Sequence, residues 1–133
     1  MNAEETIAGA KAYFSDKDAV KLALVYGSVL TDRFNENSDV DIAIAGKHAF
    51  DRNEFWSMAD DLSAALGRRI DLIDLNLVEG LILYRAMVDG KRIKTDPELA
   101  VRFSSKAFGY KEDFKPLQDM IRDARLRSFI DGR

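Results

Sequence analysis

The sequence has no cysteine and a single histidine, His48, among its 133 residues. Disulfides, thiolate nucleophiles, zinc sites and Ser-His-Asp triads therefore have almost no raw material. No apolar run approaches the ~20 residues that cross a bilayer. The opening MNAEETIAGAKAYF is acidic and amphipathic, where a leader would be basic and then apolar. These absences point to a soluble, cytoplasmic chain with no membrane partner. Excess positive charge is also missing: 20 Lys and Arg against 23 Asp and Glu leave a formal charge of -3. That balance provides no broad electrostatic grip on nucleic acid, so stable nucleic-acid binding is not expected. What is present is 47% apolar, enough for one core in a chain of ordinary domain size. Chemistry must come from carboxylates, hydroxyls or amines.

Periodicity orders the chain. Ala3, Ile7, Ala10 and Phe14 recur at helical spacing, and Ser15-Asp16-Lys17-Asp18 breaks the pattern. Val20 to Tyr26 and Val40 to Ala45 are short apolar runs, each closed by a glycine, and read as buried strands. Phe55, Met58, Ala59, Leu62, Ala65 and Leu66 trace one face of a helix that Gly67 terminates. Arg69 to Leu75 reads as a third strand, Leu77 to Val88 as a helix, and Lys91 to Lys94 as a fourth strand after the Asp89-Gly90 turn. From Pro97 a long helix begins, with Leu99, Phe103, Ala107, Tyr110, Phe114, Leu117, Ile121 and Ala124 on one seam and a kink expected near Lys115-Pro116. The order α-β-β-α-β-α-β-α specifies a mixed α/β domain, a small mixed sheet flanked by helices. Residues 1–96 form the expected globular unit. Residues 97–133 form a helical extension that packs on it and, being longer than a small sheet can cover, offers a surface to a partner or to a second copy.

The informative segment is Gly27-Ser28, then ten residues, then Asp39-Val40-Asp41. Strand side chains alternate, so Asp39 and Asp41 share one face while Val40 enters the core. Two carboxylates side by side suit a hard divalent cation, and magnesium is commonly held by a few carboxylates plus substrate phosphates. A glycine after a strand lets backbone approach a phosphate closely, and Ser28 adds a hydroxyl. Asp71, in Arg69-Ile70-Asp71-Leu72, has the setting for a third carboxylate that completes metal binding and serves as general base. Asp74, three residues on, faces the other side of a regular strand, so only one of the two can join the site.

Glycine-serine, a ten-residue gap, Asp-x-Asp and a later strand-borne acid together resemble the minimal nucleotidyltransferase family of the DNA polymerase β superfold. The remainder, including Leu81 to Lys94 and the Asp113-Phe114-Lys115-Pro116 segment, is similar to the antitoxins of HEPN–MNT toxin–antitoxin pairs. The resemblance implies a nucleotidyltransferase fold and an enzyme that uses ATP and two Mg2+ ions to place AMP on a tyrosine of a cognate HEPN ribonuclease toxin. By motif position Gly27 and Ser28 would hold the triphosphate, and Asp39, Asp41 and Asp71 would be the catalytic metal ligands. Arg33 would stand in for the arginine that relatives carry after the serine.

Plainer roles compete for several residues. Asp71 could pair with Arg68 or Arg69, Asp74 reads as solvated or as a cap for the next helix, and Ser28 could cap a helix. His48 reads as a surface residue. Trp56, Phe50 and Phe55 read as core, although an aromatic beside a cleft could stack on a base. Arg122, Arg125, Arg127 and Arg133 beside Asp119, Asp123 and Asp131 read as a solvated helix face. Two functional rivals remain: an antitoxin that neutralises by binding alone, and a nucleotidyltransferase acting on a small molecule.

Overall fold

A computed structural model describes residues 1–113, in which helices and strands follow one another in the predicted order. Helix α1 (Ala3–Ser15) starts on a capping box, in which the Glu5 amide donates to Asn2 Oδ1 at 2.8 Å and the Asn2 amide donates to Glu5 Oε1 at 3.2 Å. Strand β1 (Leu22–Tyr26) leads into a 3-10 turn, Gly27–Leu30, and the chain returns as β2 (Val40–Ala45). Helix α2 (Arg52–Leu66) is capped by Asp51, whose Oδ1 accepts the Glu54 amide at 2.8 Å, and ends on Gly67 in the left-handed region at φ 62°. Strand β3 (Ile70–Asp74), α3 (Leu81–Asp89), β4 (Lys91–Lys94) and α4 (Pro97–Asp113) complete the domain. The expected kink at Lys115-Pro116, the seam from Phe114 onward and the charged face near Arg122 lie outside the described residues.

The largest boundary differences from the periodicity arise at two places where a backbone amide is already engaged. Val20 is buried as expected, but its amide donates to the Lys17 carbonyl in a turn, so β1 begins at Leu22. Leu77 donates to the Asp74 carbonyl, and Gly80 at φ 71° reorients the chain, so α3 begins at Leu81.

The four strands lie in the order β3-β2-β1-β4. β1 pairs antiparallel with β2 and with β4, whereas β2 and β3 are parallel and need α2 as their crossover. One face packs Val25, Val40, Ile42, Ile44 and Leu72 against Phe14 of α1 and Met58, Leu62 and Leu66 of α2. The other packs Leu22, Leu24, Ala43, Ala45 and Leu75 against Leu83 and Met87 of α3 and Leu99, Phe103 and Ala107 of α4. Both strand faces are therefore buried, which is why the strands read as apolar runs. No helix among the described residues is long and apolar enough to cross a membrane.

Arg68 ties the loop before β2 to the start of β3. Its Nη1 donates to the carbonyls of Asn35 at 2.6 Å and Ser38 at 3.2 Å, its Nη2 donates to the Met1 carbonyl at 2.6 Å, and the guanidinium lies 4.1 Å from the Phe34 ring centroid. It is thereby committed to the loop that carries Asp39. Its Nε is buried without a hydrogen-bond partner.

Candidate active site

Strand register brings the site together. Tyr26 at the end of β1 lies opposite Asp41 near the start of β2, and Asp41 lies opposite Asp71 near the start of β3. Directly opposed positions have side chains on one face within reach of one another. Asp41 lies close enough to Asp71 for the two carboxylates to act on one another. Asp39, exposed just ahead of β2, has the same alternation as Asp41. The expected trio of acids thus gathers at one end of the sheet, where Val40 is fully buried between its neighbours.

Gly27 closes the other side. Its φ of 78° lies in the left-handed region, and a Cβ there would run into the Asp41 carboxylate. Glycine is required twice over, by backbone conformation and by close approach. The exposed turn that follows presents Ser28, half-buried, whose carbonyl accepts both the Thr31 amide and the Thr31 hydroxyl at 2.9 Å. Arg33 stands exposed in the loop before β2, its amide donating to Thr31 Oγ1 at 3.2 Å.

The electrostatics are those of an unbalanced acidic cluster. Burial, then the charge of Asp71, the hydrogen bond to it and the charge of Asp39 push Asp41 from 3.8 up to about 6, while Arg85 on α3 opposes them. Burial, followed by the charges of Asp41 and Asp71, also drives the Tyr26 phenol well above its ordinary value. No sequence pattern marks Arg85, because its relation to Asp41 arises only where α3 packs across the sheet beside β1.

A hard divalent cation fits this donor set: oxygen ligands, excess negative charge and an open approach beside Gly27. Among the described residues, no group of three or more His, Asp or Glu side chains closes tightly enough to hold an ion alone. Phosphate oxygens of a nucleotide would supply the remaining ligands, as magnesium sites commonly arrange.

Beyond Asp71, between α2 and β3, lies a cleft of about 310 Å³ lined by Asp39, Phe55, Trp56, Arg69, Asp71 and Leu72. Trp56 is 57% exposed and belongs to the cleft wall, not the core where aromatic content placed it. α2 turns Met58, Ala59 and Leu62 toward the sheet, which leaves position 56 outside the buried stripe. Phe50 is buried and Phe55 partly buried, as expected.

Asp74 corrects another expectation, since it is neither solvated nor a cap for α3. It is 3% exposed and accepts the Phe50 amide through Oδ2 and the Asn76 amide through Oδ1, each at 2.9 Å. His48 is exposed, as read from the sequence.

The family described as "Polymerase beta, Nucleotidyltransferase" matches residues 9–99, the span that carries every element just described from the middle of α1 to the first turn of α4. The chain is 32% identical over 75 residues to the protein adenylyltransferase MntA of Shewanella oneidensis, an alignment covering 55% of this chain and about half, 54%, of that protein. Among solved structures, a toxin–antitoxin complex with AMP-PNP contains a chain 23% identical to this one, with a TM-score of 0.70 over 94% of this chain and 99% of that one. A complex of tri-AMPylated Shewanella oneidensis HEPN toxin with its MNT antitoxin gives 21% identity and a TM-score of 0.67 over 92% and 98%. The fold is shared with these antitoxin structures, and by the span and content of the family match the chain belongs to the polymerase β nucleotidyltransferases.

Proposed function

We propose that this chain is a cytoplasmic antitoxin acting as a protein adenylyltransferase, which moves AMP from ATP to a tyrosine hydroxyl of a cognate HEPN-type toxin. The observation that carries the reading is the in-register Asp41–Asp71 pair set against Gly27, where no side chain fits. In this reading Asp39 and Asp41 hold two Mg2+ ions, with Asp71 as the third carboxylate. Bound there, the ions supply charge neutralisation and orientation for in-line displacement at the α-phosphorus. Gly27 and Ser28 hold the triphosphate through backbone amides and the Ser28 hydroxyl, and Arg33 reaches it from the loop. Arg85, whose charge is already felt at Asp41, balances part of the phosphate charge.

The tyrosine Oη attacks the α-phosphorus, a new O–P bond forms as the bond to pyrophosphate breaks, and the phenolic proton passes to Asp71. A protein acceptor accords with exposed Leu81 and Ile82 on α3 and Val101 and Phe108 on α4, apolar surface of the kind that protein partners cover. Residues 97–133 are the proposed partner-facing extension. The test is the intact mass of the partner toxin after incubation with this protein, ATP and Mg2+. The expected result is a gain in whole AMP units, absent with the Asp39→Ala/Asp41→Ala variant. An unchanged mass alongside tight complex formation would make this an antitoxin that works by binding, and modification of a small molecule alone would move the acceptor to another class.

A further inference from the structure

We infer that Arg68 is the positioning residue for Asp39 and sets how tightly the site takes up its metal ions without touching them. The inference rests on the reading of Asp39 as a metal ligand and deepens it by naming what holds that ligand in place. Asp39 and Asp41 owe their placement to different parts of the fold. Asp41 lies inside the sheet, opposite Tyr26 on one side and Asp71 on the other. Asp39 precedes the first residue of β2, at the end of a stretch, 31–39, that has no helix or strand. An exposed carboxylate on irregular backbone keeps its direction only when the peptides on either side of it are fixed from elsewhere.

Residues 68 and 69 fix both. The Ser38 carbonyl, on the peptide that enters Asp39, accepts from Arg68 Nη1 at 3.2 Å, and the Val40 amide, on the peptide that leaves it, donates to the Arg69 carbonyl at 3.0 Å. Arg68 Nη1 also donates to the Asn35 carbonyl at 2.6 Å, which accepts the Ser38 amide at 3.1 Å, so the turn ahead of Asp39 closes on the same guanidinium. The clamp has a firm base: the guanidinium lies over Phe34, which packs on the core, and the Arg68 carbonyl accepts Ser63 Oγ of α2 at 2.8 Å. A planar guanidinium can cover a ring and still donate at its edges, which an ammonium does only in part. Asp71 follows on the same run of chain, so Arg68 fixes Asp39 relative to Asp71 as well as to Asp41. Groups that orient a metal's ligands are tuned with them, and removing one weakens metal binding roughly 10- to 100-fold.

Mn2+ binding in the presence of AMP-PNP and without an acceptor, followed by electron paramagnetic resonance, reads the site independently of transfer. Arg68→Gln should weaken Mn2+ binding roughly tenfold, and Arg68→Lys by a smaller factor. Adding Arg68→Gln to Asp39→Ala should cost no further affinity, because the clamp then has no carboxylate to place. In transfer to the partner toxin, Arg68→Gln should need roughly tenfold more Mg2+ for half-maximal rate, with the acceptor KM unchanged. Excess Mg2+ should restore its kcat but not that of Asp39→Ala. An arginine that only stabilises the fold would lower the unfolding midpoint and leave these ratios alone. Parent-like Mn2+ affinity in folded Arg68→Gln would overturn the inference, and so would losses that add in the double variant. Should Arg68→Gln not fold, Arg68→Lys carries the same comparison: its Mn2+ affinity must fall where Asp39 is present and not where it is alanine. If the unmodified protein transfers no AMP, the enzymatic reading fails and the Mn2+ titration still decides the clamp; if it binds no Mn2+ with AMP-PNP, the clamp falls as well.

Discussion

Asp71 and Asp74 are three residues apart on β3, yet they belong to opposite regions with opposite electrostatics. At the far end of β3, Asp74 is buried and meets two backbone amides, from Phe50 and Asn76. Asn76 extends the arrangement, donating to the Gly46 carbonyl at 3.1 Å and accepting from Arg102 at 3.0 Å. These connections pin loops to the end of the sheet and to α4. At the near end, Asp71 lies against Asp41, and the two carboxylates face each other and Asp39 where a cation would be the natural counter-charge. A carboxylate surrounded by donors is a structural joint. Carboxylates set against one another cost stability until a ligand relieves them, which is the usual mark of a site.

The sharpest way to break this contrast is to neutralise the near end. With Asp39→Asn/Asp41→Asn, AMP transfer should fall by roughly 10³-fold or more, since metal-assisted charge stabilisation is worth several kcal/mol, while thermal unfolding shows a protein at least as stable. Undiminished transfer would remove these carboxylates from the chemistry. The far end should respond the other way. Asp74→Ala leaves one buried and one partly buried amide unpaired and should lower unfolding free energy by about 3 kcal/mol, measured by denaturant titration with an unchanged m-value, and AMP-PNP affinity should persist wherever the protein remains folded.

Gly27→Ala joins the two kinds of effect. Left-handed backbone costs a Cβ-bearing residue about 1 kcal/mol, and the new Cβ meets the Asp41 carboxylate. Transfer should therefore drop more than stability does, a split read by comparing kcat with the unfolding midpoint. The smallest effect is the relief of repulsion itself. Asp41 is raised from 3.8 to about 6 in the folded protein, so its contribution to stability is fully present below 3.8 and lost as pH rises through about 6. In metal-free buffer Asp41→Asn should thus match the parent at the acid end and exceed it at neutral pH. The gain should be about 1 kcal/mol after allowance for solvent screening, or a few degrees in Tm. Saturating Mg2+ with AMP-PNP should reverse the order, because only the parent gains the bound ions; a variant that stays ahead under those conditions would argue against metal binding at Asp41.

Much of this was legible in the sequence. Each element was marked by its own periodicity, and Val40 to Ala45 and Lys91 to Lys94 stand where their composition placed them. Asp39 and Asp41 were readable because strand alternation is local, and Gly27 because a glycine after a strand, followed by a serine, allows a close approach of backbone. What could not be read was which side chains from different elements become neighbours. Trp56 looked like core because aromatic content says nothing about which way a helix is turned. Arg68 looked like a partner for Asp71, yet its hydrogen bonds run to the carbonyls of Met1, Asn35 and Ser38.

By itself, then, the sequence determined the succession of helices and strands and the chemistry of their ends, since both depend on interactions within a few residues. Only the tertiary structure decided that Asp71 and not Asp74 meets Asp41, that Arg85 bears on the same carboxylate, and that a cleft opens on the β3 side. Those outcomes depend on parallel register and strand order, which are selected by burial of both sheet faces at once and leave no trace in any single segment.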